Sequence, residues 1–256
     1  MGIDFHSLGN QGSYRSRKAD DSWKEMMEEL VTFPVERAAD IGCGGGIYSQ
    51  GLAELGAKAI YGVDQSEVSL EDAGRTCAGT PNAFFQKGKA DDTGLDGDSF
   101  DVVLERALIH HLSDLEACFL EAKRVLKPGG VVVIQDRTPE DCFLPGSEVH
   151  LRGYMMDRFP ELKEVEASRR HTSEQVTSAL TQCGFTHVQE MKLWETRKTY
   201  VGKDELRQDI LSRTGRSILH ELSDDELVQF ADELDDKLKD GPVVEKDRWA
   251  IWIARK

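Results

Sequence analysis

An α/β fold, built on a doubly wound and mostly parallel sheet, is what this sequence predicts. Three observations predict it. Short β-branched-rich segments alternate with amphipathic helical ones, the order that places parallel strands between helices. The first strand ends in a glycine-rich turn, Gly42-Cys43-Gly44-Gly45-Gly46. The composition is that of a globular chain, 39% hydrophobic and 31% charged over 256 residues.

Four strands head the order: "ERAADIG" (36–42), "KAIYGVD" (58–64), "SFDVVLE" (99–105) and "GVVVIQD" (130–136). Ahead of them, residues 1–30 are expected to form an N-terminal helical cover. Between the first two strands, "YSQGLAELGA" puts Leu52 and Leu55 on one helical face, with Gly56 at the C′ position. Between the last two, Ser113 and Glu116 form a capping-box pattern, and Leu112 and Ala117 are spaced as a hydrophobic staple. Leu115, Phe119, Ala122 and Leu126 continue that helix until Pro128-Gly129-Gly130. Such βαβ repetition makes right-handed crossovers.

Beyond residue 140 the pattern is more helical. Thr172 and Gln175 cap a helix carrying Val176, Ala179, Leu180 and Cys183, which Gly184 stops. "HVQEMKLWE" (187–195) follows as a strand. Ser223 and Glu226 open another helix, with Leu227, Phe230, Ala231, Leu234 and Leu238 at helical spacing until Gly241-Pro242. The closing "RWAIWIARK" is apolar on both faces and reads as an inner strand. Trp194, Trp249 and Trp252 therefore read as core. The acidic helices of 204–240 read as an insertion over the C-terminal edge of the sheet, and the run 221–240 as a solvated face.

Charge and composition exclude several classes. No apolar run approaches the ~20 residues of a membrane span. The N-terminus lacks an apolar signal region, so the expected location is cytoplasmic. Its Met-Gly start is not followed by a Ser or Thr in the myristoylation register, because Ser7 is one position late. Five cysteines without a CxxC pair predict reduced thiols and no metal site. The seven histidines show no HExxH spacing. A net charge of −15 repels a phosphate backbone, which argues against a nucleic-acid partner. Residues 204–247 hold fourteen acidic and six basic residues, a contribution of −8.

The glycine turn lets a ligand approach the backbone where a Cβ would collide. A dinucleotide site would read GxGxxG, but here Asp40 precedes a GxGxG run and Ile47 stands where the last glycine would fall. Asp64 ends the second strand eighteen residues after Gly46. A carboxylate there accepts from both ribose hydroxyls and repels a 2′-phosphate, which disfavours NADP.

With these residues in place, the chain resembles the class I S-adenosylmethionine-dependent methyltransferases, especially their small-molecule branch. The likeness is carried by "ADIGCGGG", "YGVDQS", "KGKADDTGLDGDSFDVVLERALIHHL" and "EAKRVLKPGGVVVIQDRT", about residues 35–138, with weaker support from "HTSEQVTSALTQCGF" and the last strand. It implies a seven-stranded, Rossmann-like sheet and S-adenosyl-L-methionine as cofactor. By that resemblance Asp40 orients the loop and meets the cofactor's amino group; Gly42, Cys43, Gly44 and Gly46 line it; Asp64 holds the ribose; and Gln65 lies against the adenine. Where the family often has a carboxylate, this chain has Lys89, so the adenine contact moves to the Ala90 backbone and the Asp91 side chain. Glu105 and Arg106 fall beside the methionine tail and the methyl group.

Tyr14 and Arg17, in a segment that folds over the cofactor in related enzymes, are candidates for the methionine carboxylate. His110 and His111 are candidates for a general base, and His171 is a weaker one. Asp136 and Arg137 end the fifth strand, on the ligand-binding edge of such sheets. Methyl transfer from a sulfonium needs alignment and exclusion of water; only a protonated acceptor such as a phenol also needs a base. The expected activity is therefore methyl transfer to an O, N, S or C atom of a small molecule. Residues 35–138 would form the cofactor-binding half of a single domain, 139–171 and 196–245 the substrate cover, and the protein would be a monomer or homodimer. The competing readings are a nucleotide-dependent oxidoreductase, a non-catalytic cofactor-binding protein, and a methyltransferase of protein side chains.

Overall fold

The computed structural model describes residues 18–256. Tyr14 and Arg17 lie outside the described residues. The chain forms two compact units. The first runs through Asp136 and adds His171–Leu193 and Ala250–Lys256; the second is Arg137–Arg170 with Trp194–Trp249.

The sheet has seven strands: β1 (Arg37–Ile41), β2 (Ala59–Asp64), β3 (Ala83–Lys87), β4 (Phe100–Arg106), β5 (Leu126–Asp136), β6 (Thr186–Tyr200) and β7 (Val243–Arg255). Their order is β3-β2-β1-β4-β5-β7-β6. The first five are parallel, and β7 is antiparallel to β5, with Val131 opposite Arg255 and Asp136 opposite Ala250. The closing strand is thus an inner one, as its two apolar faces predict. β3 was not among the predicted strands. It is short and half-exposed on the sheet edge, with Phe84 49% exposed, so it carries no clean alternation to read.

In the first unit, helices α1 (Asp21–Leu30), α2 (Ile47–Glu54), α3 (Glu67–Thr76), α4 (Leu115–Val125) and α8 (Ser173–Gln182) accompany these strands. A core of Ile41, Val63, Phe100, Val103, Phe119, Ile134 and Trp252 packs between sheet and helices. The box at Thr172 and Gln175 forms as predicted. The box predicted at Ser113 does not. Asp114 is the cap, accepting from the Ala117 N–H at 3.0 Å, because an ionised carboxylate is the stronger acceptor at the positive end of a helix. That helix also ends earlier than predicted. Leu126 already belongs to β5, and Pro128-Gly129 falls in an irregular stretch where the pairing with β4 shifts between Phe100 and Val102.

The second unit contains α5 (Pro139–Cys142), α6 (Leu151–Arg158), α7 (Leu162–Arg169), α9 (Lys203–Leu211) and α10 (Asp224–Lys237). The Ser223–Glu226 box forms at the start of α10. Leu227, Phe230, Ala231 and Leu234 of α10 are buried with Met155, Phe159, Leu206 and Tyr200, while Asp224, Asp225, Asp235 and Asp236 face solvent. Trp194 departs from the core reading. It is 40% exposed and meets His150 edge-on at 5.5 Å, whereas Trp249 and Trp252 are buried. No helix among the described residues is long and apolar enough to cross a membrane.

Candidate functional site

β1 delivers its chain into the glycine turn, where Gly42, Gly44 and Gly46 all have positive φ, at 74°, 51° and 79°. Glycine adopts that geometry without the Cβ penalty of other residues. Space adds a second requirement at two of them. A Cβ on Gly46 would sit 2.9 Å from the Ala73 Cα, and one on Gly42 would sit 2.8 Å from Leu108 Cδ1. A Cβ on Gly44 would meet nothing within 4 Å. The turn is therefore packed at both ends and open at its middle.

Its N–H groups are largely spent internally. Those of Gly42 and Cys43 both donate to the Val63 carbonyl, at 2.7 and 3.1 Å. The Gly44 N–H donates to Asp64 Oδ2 at 3.0 Å, and the Ser66 N–H to Asp64 Oδ1 at 2.8 Å. Asp64 is thus locked in place by two backbone donors, with room on a half-buried carboxylate for two further hydrogen bonds. Asp40 is 2% exposed and accepts from Ser49 Oγ at 2.6 Å, tying the turn to α2. Burial pushes its carboxyl up to about 6, with the Ser49 hydrogen bond pulling the other way. Cys43 is buried, and burial likewise raises its thiol.

Gln65 is exposed at the end of β2. Beyond β3, Lys89 and Asp92 exchange backbone hydrogen bonds at 3.0 and 3.2 Å, holding half-buried Ala90 and exposed Asp91 at the tip of a tight turn. At the end of β4, Arg106 stacks on Tyr48 with its guanidinium carbon 3.9 Å from the ring centre, and Tyr48 meets Trp23 of α1 edge-on at 4.9 Å. Glu105 points the other way. It is fully buried, receives the Cys118 thiol at 3.4 Å, and is pushed by burial up to about 8, so it enters the core as a neutral acid.

After β4 the backbone turns sharply through Ala107, whose φ is 49°, a strained value for a residue with a Cβ. The single 3-10 turn that follows, Ile109–His111, carries both candidate bases. His110 Nδ1 lies 2.8 Å from Asp136 Oδ2 and 3.0 Å from Oδ1, and its backbone N–H reaches the same carboxylate at 3.2 Å. A carboxylate can only accept, so Nδ1 carries the proton and Nε2 is left as the basic nitrogen. His111 is exposed and stacks on His110 with ring centres 4.0 Å apart. His171 Nε2 lies 2.8 Å from the Leu112 carbonyl and 3.1 Å from that of Ile109, so it clamps the turn.

The structure thus joins Asp64 to the glycine turn and His110 to Asp136. The pairing of His110 with Asp136 was not drawn from the sequence, although both residues were singled out there. The available signal was that Asp136 ends β5 and His110 follows the end of the adjacent parallel strand β4 by four residues. Arg137 belongs to the second unit, where it pairs with Asp247 at 2.7 Å and stacks on Trp249 at 4.4 Å. Among the described residues no group of three His, Cys, Asp or Glu side chains is placed to hold a metal ion.

Residues 39–134 match the methyltransferase domain family. Over 166 residues the chain is 30% identical to the uncharacterized methyltransferase sll0829 of Synechocystis sp. PCC 6803, covering 63% of this chain and 72% of that protein. It is 32% identical over 99 residues to the ubiquinone biosynthesis O-methyltransferase of Mesorhizobium japonicum, covering 38% of this chain. The chain spans 39% of that relative's length. Haemonchus contortus phosphoethanolamine N-methyltransferase 2, solved with phosphomonomethylethanolamine and S-adenosylhomocysteine, matches with a TM-score of 0.61 at 19% identity, covering 99% of this chain and 61% of that one. At that identity the likeness is one of fold.

Proposed function

The chain belongs to the class I S-adenosylmethionine-dependent methyltransferases, and on that premise we propose that it methylates a hydroxyl oxygen of a small-molecule acceptor with His110 as general base. The observation that carries the acceptor class is the clamp of Asp136 on His110 Nδ1 at 2.8 Å. An amine or thiolate acceptor needs no such base, whereas a phenol or catechol does. The name of the Mesorhizobium relative, an O-methyltransferase, supports the same reading.

The residues around the glycine turn fit the cofactor. The open space at the Gly44 Cβ position leaves room for a ligand against the backbone, and Asp64 keeps two acceptor positions for ribose hydroxyls. Gln65, Ala90 and Asp91 are assigned to the adenine, and Arg106 to the methionine end. Bound there, S-adenosylmethionine supplies a methyl group already activated on a sulfonium. Asp64 and the turn fix its position, and His110 Nε2 takes the proton of the acceptor hydroxyl. Asp136 keeps the imidazole in the required tautomer and stabilises the imidazolium that forms. We assign acceptor choice to residues 139–171 and 196–245. A cytoplasmic location is supported by five free, buried cysteines, and a partner other than nucleic acid by the net charge of −15.

The test compares catechol with 4-nitrocatechol, whose phenol is already ionised at pH 8, by release of S-adenosylhomocysteine. His110→Gln should lower kcat on catechol by about 10²- to 10⁴-fold, the usual worth of a positioned base, and spare 4-nitrocatechol. Equal losses on both acceptors would remove His110 from the proton transfer.

A further inference from the structure

The sheet ends on β6, and no described strand pairs with its outer side. Residues 186–193, the part of β6 that belongs to the first unit, are open along this edge. A strand covered on one face alternates between buried and exposed positions, yet Gln189, Glu190, Met191 and Lys192 are exposed in succession. The side chains of Glu190 and Lys192 are only 24% and 33% exposed, so much of what meets solvent there is main chain. A row of outward N–H and C=O groups is a template for another strand. A lysine commonly blunts such an edge, but here Lys192 is neutralised by Glu190 at 2.9 Å.

Two further observations say which strand fits. Glu190 and Lys192 flank Met191, so the sequence acid, Met, base is its own complement. Turned antiparallel about Met191, it sets Glu190 of each copy opposite Lys192 of the other, and opposite charges across a strand pair attract. The Glu190 carboxylate is already held in place, by Ser173 Oγ at 2.9 Å and Trp252 Nε1 at 3.1 Å. Over most of their surfaces two chains of net charge −15 repel, which leaves few stretches where they can meet. The second observation is α8, which the Ser173–Glu190 bond ties to β6. Its outer face carries Thr177, Ser178 and Thr181 along a shallow concavity of about 430 Å³. Small side chains let a neighbouring helix approach closely.

We propose that the protein is a homodimer joined by antiparallel pairing of its β6 edges, with the α8 faces meeting across the same two-fold axis. Such an interface uses the same patch on both copies and closes on itself. A short strand pair alone falls short of the ~1,000 Å² that a stable interface buries, and the flanking helices extend it.

Sedimentation of the full chain over a range of concentrations tests this. The parent should pass from monomer to dimer as concentration rises. Glu190→Lys and Lys192→Glu each set like charges opposite one another, and each should weaken the dimer by at least ~tenfold. An equimolar mixture of the two variants restores opposite charges at both pairs and should sediment as a heterodimer. Ser178→Arg, an exposed change on α8 that leaves the strand untouched, should weaken the parent dimer too. It covers the case in which losing the Trp252 hydrogen bond unfolds Glu190→Lys. A parent that stays monomeric overturns the proposal and leaves the edge bare or open to a strand of another protein. Folded variants that dimerise as the parent does, or a mixture of them that associates no better than its components, overturn it as well. Association is read without cofactor or turnover, so neither outcome bears on His110.

Discussion

Glu105 is a carboxyl group with nowhere to put a charge. Burial raises it from the ordinary 4.5 to about 8, with the Cys118 thiol pulling slightly the other way. The folded protein therefore holds a proton that the unfolded chain releases above about 4.5. The stability this contributes is complete below pH 4.5 and is lost as the pH rises through about 8. Glu105→Gln should flatten that decline, so thermal melts of the variant and the parent should diverge progressively between pH 5 and pH 9. Parallel curves would mean that the carboxyl group finds a charged form inside. Glu166 has the opposite sign. Against a burial that would raise it, Arg152 and Arg170 hold it down to about 2, so its contribution is present above 4.5 and fades as the pH falls toward 2. Asp64 and the three glycines were legible at this scale, because a special backbone geometry and a carboxylate at a strand end leave local marks. The buried, neutral state of Glu105 was not legible, because it depends on how completely the elements packed on β4 exclude water, which no local pattern records.

At the scale of the element, the glycine turn makes two different demands on one residue type. Gly44→Ala meets no atom and carries only the left-handed backbone penalty of about 1–2 kcal/mol. Gly46→Ala adds a collision with the Ala73 backbone, where overpacking costs about 1–3 kcal/mol more. Urea melts should therefore show the larger loss for Gly46→Ala. S-adenosylmethionine titration should show the larger affinity loss for Gly44→Ala, whose methyl group would occupy the open face of the turn that we assign to the cofactor. Reversal of either order would mean that the open face has been misassigned. The helix caps show how far sequence carries at this scale. Thr172 and Ser223 were read correctly because their partners stand three residues on. At Ser113 the neighbouring Asp114 competed for the same role and won by charge. β3 escaped because a five-residue edge strand offers too few positions for a period to register.

For the molecule as a whole, 47 acidic residues stand against 32 basic ones. Much of the excess lies on exposed faces such as that of α10. Self-repulsion of this kind weakens the compact state and is screened by salt. Raising ionic strength from ~0.01 M to ~0.15 M shortens the screening length from about 30 Å to about 8 Å. The melting temperature should rise by about 2–4 °C, as expected if ~1 kcal/mol of repulsion is relieved in a domain of this size. A fall would show that exposed ion pairs such as Lys58–Glu36 and Arg75–Glu71 contribute more than the surface excess costs. The mostly parallel, seven-stranded sheet was legible from the alternating pattern and the family resemblance together. The division into two units was less so, because it depends on which apolar stripes meet, and 137–170 and 194–249 are far apart along the chain.

The five thiols offer a clock for each unit. All are free and buried, with Cys43, Cys77, Cys118 and Cys183 in the first unit and Cys142 in the second. A membrane-permeant alkylating reagent should find the native protein almost silent. As denaturant is raised, four labels count openings of the sheet-bearing unit and one counts openings of its companion. Mass spectrometry of the labelled peptides then reads, from a single sample, which unit lets go first.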